Sequence, residues 1–184
     1  MRGARLQRLR AALGGMPAAL PPTLWAASSA GLYLGHPWPA LTREAGQRLI
    51  KEAGATSPQQ VWALLQSMPA AWLAQYRWFQ LLDLIPAAAM ALSTCILVGR
   101  WLPADAPAWQ RGLALLGPIV LLAEGVENGC IVHWTLQHGP PPDLGFAIQP
   151  AAMWIKFSAY PLAVLALSVL AGRRLVRDRW PTRR

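Results

Sequence analysis

Apolar residues in this chain gather in four long blocks, separated by shorter polar stretches. The first charge-free block runs over about 11–42, and 16–35 is its best stretch of the roughly 20 residues that a helix needs to cross a bilayer. Further blocks cover about 78–99, 112–136 and 150–171. Pro21 and Pro22 fit the first turn of the first helix, where a missing N–H leaves nothing unpaired; deeper inside they would mark a kink. This pattern predicts an all-α fold, a four-helix transmembrane bundle making a single membrane domain of residues 1–184. The arginine-rich start followed by an apolar stretch also has the outline of a signal peptide. The length of the block and its proline pair favour a retained first helix.

Between the first two blocks the pattern changes. Leu41, Ala45, Leu49 and Ile50 recur at helical spacing, with Arg43, Glu44, Arg48, Lys51 and Glu52 on the other side. A second short helix over 58–67 presents Val61, Leu64 and Leu65, then breaks near Pro69. Trp62, Trp72, Tyr76 and Trp78 fit an interfacial aromatic belt. Segment 41–76 therefore reads as short amphipathic helices in the first extracytoplasmic loop, lying on the membrane surface.

Composition strengthens this picture. Hydrophobic residues make up 54% of the chain and charged residues 14%, where a soluble domain carries about a quarter charged. The net charge of +9 comes from arginines that flank apolar blocks, not from a soluble basic face. Arg2, Arg5, Arg8 and Arg10 precede the first block, Arg100 and Arg111 sit between the second and third, and the tail at 173–184 holds six more. The other two loops carry only Arg43, Arg48, Lys51 and Arg77. By the positive-inside rule both termini are cytoplasmic. The clusters suit anionic lipid, and no aromatic-basic RNA motif or recognition helix points to nucleic acid. Cys95 and Cys130 differ in depth by about 20 Å, too far for a disulfide. No CxxC-type spacing implies a metal, and nothing implies a cofactor.

Four ionisable residues fall inside the spans: Asp83, Glu124, Glu127 and Lys156. On insertion scales each costs about 2.5–3.5 kcal/mol at bilayer depth, so each needs an explanation. Counting about 1.5 Å per residue along each helix brings Asp83, Glu127 and Lys156 to similar depth in the outer half, with Glu124 near the middle. Glu124, Glu127 and Asn128 stand at i, i+3 and i+4 on one face, while His133 points the other way. Gly125 and Gly129 form a GxxxG pair suited to close helix packing. Pro86 frees a carbonyl in the second span, and Tyr160 and Met153 share a face with Lys156. The candidate site is thus a buried polar cluster of Asp83, Glu124, Glu127, Asn128, Lys156 and Tyr160. One lysine cannot neutralise three carboxylates, which implies a protonated carboxyl, an imported cation or a water-filled pocket.

At these residues the chain resembles an uncharacterised family of small bacterial four-helix membrane proteins. Its members have a short helix ending in Tyr before the second span and an Asp in the first turns of that span. An acidic-x-x-Glu-Asn step follows in the third span, and a Lys opens the fourth. Tyr76, Asp83, Pro86, Glu124, Glu127, Asn128 and Lys156 carry the match, over about 58–170. Glu124 departs from it, standing where the family pattern has Asp. The resemblance implies a multi-pass protein of the bacterial inner membrane with the polar cluster as a unit, and it supplies no activity.

Three functional readings follow. One is a lipid or small-molecule site in the outer half. An enzyme is conceivable there, but no Ser-His-Asp arrangement, HExxH, Walker loop or dinucleotide fingerprint assigns a reaction. Another is a structural or accessory subunit whose partners are membrane lipids and other subunits, or further copies of itself. The third is a proton or cation pathway. Against all three stands a purely structural network that fixes how the helices pack, each bond contributing roughly 0.6–2 kcal/mol. His36, His133 and His138 are the weak candidates for a haem or pigment, near the outer surface.

Overall fold

The structure, a computed structural model, describes residues 17, 19–36, 55–103 and 105–179, with side chains to 176. The expected helix around Leu41–Glu52, the N-terminal arginines and the last tail arginines lie outside the described residues. Among the described residues all regular structure is helical.

α1 spans Leu20–Gly35, with the proline pair in its first turn and no side-chain cap. Its start is the one place where two successive prolines leave the backbone ladder intact. The helix carries no charge and turns Leu24 and Leu34 outward, Leu34 being 86% exposed. It packs along α4. α2, Pro58–Ser67, begins on Ser57, whose hydroxyl accepts from the Gln60 N–H at 3.3 Å. Pro58 holds the first helical position, so the N-terminal signature is complete. Val61 and Leu65, one turn apart, are buried. They pack with Met68 against Tyr76, Phe79, Ile131, Trp134 and Leu32 in one apolar cluster.

α3, Ala70–Leu82, and α4, Leu84–Trp101, form an almost continuous rod interrupted at Asp83. The interruption follows from Pro86, which has no N–H to offer Leu82 and whose ring crowds that carbonyl. Asp83 keeps helical backbone angles (φ −64°, ψ −16°), so the axis continues. Tyr76 therefore lies within α3 instead of ending a separate short helix, and it is fully buried, outside any surface belt. Trp78 is exposed, while Trp62 and Trp72 are half-buried.

α5, Ala108–Gly112, passes through a 3-10 turn, Leu113–Leu115, into α6, Leu116–Leu136. α7 runs for 37 residues, Asp143–Arg179, with Pro150 and Pro161 inside it. It begins two turns before the apolar block because the sequence from Asp143 onward is helix-competent, and Pro150 is absorbed. Three stretches are long and apolar enough to cross a membrane: Ala70–Trp101, Ala108–Leu136 and Asp143–Val176. With large apolar side chains such as Leu122, Trp154 and Leu165 facing outward, this is the exterior of a membrane protein.

α4 and α6 cross closely. A Cβ on Gly117 would meet the Thr94 hydroxyl, the Ala91 Cα at 2.6 Å and the Met90 carbonyl at 3.0 Å. Gly117 is thus the glycine that lets two backbones approach. Gly125 and Gly129 have nothing within 4 Å and open outward. The GxxxG spacing recurs on the helix face away from α4. Cys95 and Cys130 are both free thiols.

Candidate functional site

The break at Asp83 brings a carboxyl into the space between α1, α4, α6 and α7. Its side chain is buried, and the Tyr33 hydroxyl on α1 donates to its Oδ1 at 3.2 Å. Opposite it, the carboxyl of Glu124 on α6 approaches closely enough to interact directly. Glu124, Glu127 and Asn128 are all buried on one face of α6, as their i, i+3, i+4 spacing requires.

Lys156 on α7 closes the cluster. Its Nζ lies 3.1 and 2.9 Å from the two oxygens of Glu124 and 2.5 Å from Glu127 Oε2. Both carboxylates therefore share one ammonium. Charge-assisted contacts of this length are the strong kind, and burial keeps water from screening them. Asn128 ties the layer to α3: its Nδ2 donates to Glu124 Oε1 and to the Gln80 carbonyl, each at 3.0 Å. Behind this bond, both side-chain amide atoms of Gln80 and the Oδ1 of Asn128 have no hydrogen-bond partner among the described residues. Buried polar atoms of this kind are normally satisfied, by protein or by water.

A cavity of about 350 Å³ occupies the centre of the arrangement. Asp83, Glu124, Lys156 and Tyr160 stand on its wall, with Trp25, Ser29, Tyr33, Phe79 and Phe157. On the α1 and α7 side of the cavity Tyr33, Phe157 and Tyr160 are exposed, and the Trp25 and Tyr160 rings lie 6.0 Å apart. Phe79 forms the end wall, edge-on to Tyr33 at 5.6 Å and to His36 at 5.5 Å.

Of the six residues that the sequence singles out, Asp83, Glu124, Lys156 and Tyr160 line this cavity. Glu127 and Asn128 stand directly behind it, holding Lys156 and Glu124. Tyr33, Trp25, Ser29, Phe79 and Phe157 were not singled out. Trp25, Ser29 and Tyr33 occupy i, i+4 and i+8, a polar-aromatic stripe on an otherwise aliphatic helix, and that stripe was the available signal. His133 faces outward and bonds to Gln137 at 2.7 Å, away from the cluster.

Toward the Arg100 end of α4 the lining changes. The hydroxyls of Ser93 and Thr94 are buried but donate to carbonyls of their own helix, Ala89 and Ala91. Ile96, Leu97 and Val98 fill the space beyond. Among the described residues, no group of His, Cys, Asp and Glu is arranged to hold a metal ion. No protein-family model, curated protein or solved structure matches this chain.

Proposed function

We propose that this protein is a four-span inner-membrane protein of a bacterium, with cytoplasmic termini and a binding site for a lipid or small molecule. The observation that carries the reading is the cavity with Asp83, Glu124 and Lys156 on its wall and exposed side chains of α1 and α7 at its border, which we read as a lateral mouth. An apolar molecule in the bilayer reaches such a mouth without leaving the hydrocarbon, and its polar end meets the ionisable groups. Pockets of roughly 300–1,000 Å³ with a mostly apolar lining and a few convergent polar groups are the usual form of a ligand site. α1 supports the fourth span: it is uncharged, Leu20, Leu24 and Leu34 face outward, and the apolar sequence continues before Leu20. The resemblance to small bacterial four-helix membrane proteins is consistent with this topology. The charge distribution supports an orientation with the cavity toward the outer leaflet and the apolar Arg100 end toward the cytoplasm.

The experiment is native mass spectrometry of the protein released from gentle detergent. A retained lipid or metabolite in the native protein, absent from Asp83→Asn, is the expected result. An identical set of bound species in both, or none in either, overturns the site.

The outward-facing Gly125 and Gly129, beside exposed Leu122 and Val126, favour a second reading as a subunit of a larger assembly. Small residues on a lipid-facing helix surface allow another helix to approach closely. A lone monomer after gentle extraction, with no co-purifying protein, argues against it.

A further inference from the structure

The charges and rings around the cavity say which end of a ligand it is built to hold. Lys156 is already engaged, its ammonium lying against both Glu124 and Glu127 at 2.5–3.1 Å. Asp83 has a different neighbourhood. It receives the Tyr33 hydroxyl, faces the Glu124 carboxyl, and is 6% exposed. The cavity wall therefore carries two adjoining carboxyl groups, with its one lysine held by Glu124 and by Glu127 behind. Two adjoining carboxyl groups where water is scarce favour a positive charge placed beside them.

The rest of the wall is aromatic. Trp25, Tyr33, Phe79, Phe157 and Tyr160 surround the same space. Ring faces carry negative electrostatic potential and attract cations, most strongly when water is excluded, and aromatic walls with a carboxylate are how quaternary ammonium groups are held. An anion would meet the opposite: two carboxylates, ring faces, and a lysine already paired.

We propose, building on the binding-site reading above, that the cavity takes the positively charged ammonium head of an amphiphile. The head lies against Asp83, beside its contact with Glu124, and the apolar part leaves along Trp25 and Tyr160. Selection rests on charge and ring faces together. A neutral molecule of the same shape gains the apolar contacts but leaves the carboxyl groups uncompensated.

The test uses phenyltrimethylammonium and tert-butylbenzene, which share shape and differ by one charge, with benzenesulfonate as the anionic counterpart. Binding to the full chain in nanodiscs is read by thermal stabilisation and by tryptophan fluorescence. The expected result is binding of the cation at least tenfold tighter than of its neutral isostere, with no stabilisation by the anion. Asp83→Asn weakens cation binding at least tenfold, and Phe79→Leu weakens it severalfold with little effect on the neutral compound. The comparison of the three probes needs no variant, so a poorly folded Asp83→Asn leaves it decisive. Equal affinity for cation and isostere overturns the ammonium assignment while leaving a binding site. Preference for benzenesulfonate overturns it in the same way. If none of the three binds and no native species is retained, the cavity is not a site and both readings fall.

Discussion

Tyr33 and Asp83 are joined by a 3.2 Å hydrogen bond that ties the first helix to the break between α3 and α4. The bond links an uncharged helix to a buried carboxyl, and it positions that carboxyl on the wall of the cavity. The Tyr33 ring also meets Phe79 edge-on at 5.6 Å, so the phenol is held at both ends. Removing the hydroxyl alone separates these two contacts.

Tyr33→Phe should therefore lower stability by about 0.6–2 kcal/mol, the range found for side-chain hydrogen bonds between membrane helices. Unfolding by SDS titration in mixed micelles measures it. Phe79 packing and the Asp83–Glu124 contact are retained in this variant, so the loss reports the Tyr33 hydroxyl bond alone.

Lys156→Met should be far more damaging. It leaves Glu124 and Glu127 buried without their shared cation, a change that costs about 3–5 kcal/mol when one partner of a buried pair is removed. Adding Glu127→Gln removes one of the orphaned charges and should restore a substantial part of the loss. Thermal melting of the single and double variants in one detergent decides the matter. Equal stability of Lys156→Met and the native chain would show that the network contributes nothing.

Gly117→Ala should destabilise by about 1–3 kcal/mol, the usual penalty for forcing extra atoms into a packed contact. The new methyl would press on the Ala91 Cα and the Met90 carbonyl, backbone atoms that cannot move aside independently. Gly125→Ala and Gly129→Ala meet open space and should leave the monomer's melting temperature unchanged. If they alter the oligomer distribution instead, their face is in use.

Asn128→Leu should lose about 1–3 kcal/mol, because the Gln80 carbonyl and Glu124 each lose a buried donor. Hydrogen exchange gives a sharper readout than melting. Amides around the Asp83 break should exchange faster, while those in the distant part of α4 near Val98 should not change.

The sequence alone determined the helical class, the apolar centres of the three stretches that are long and apolar enough to span, and the short helix over 58–67. These are local matters: block length, periodicity, proline chemistry and capping act within one or a few turns. It also indicated that Glu124, Glu127 and Asn128 share a face, since i, i+3 and i+4 leave no alternative on a helix. Tertiary structure decided the rest, because side-chain direction between elements is not a property of any one of them. Only the packing showed that Lys156 is held by two carboxylates while Asp83 turns to Tyr33. Only packing chose Gly117 over the GxxxG pair as the close crossing, and drew Tyr76 out of a surface belt into the core. Pro86 could be read as a break, but the consequence of the break depends on α1. That helix brings Trp25, Ser29 and Tyr33 to face the carboxyl that the break exposes, and so turns three separate buried charges into the wall of one cavity.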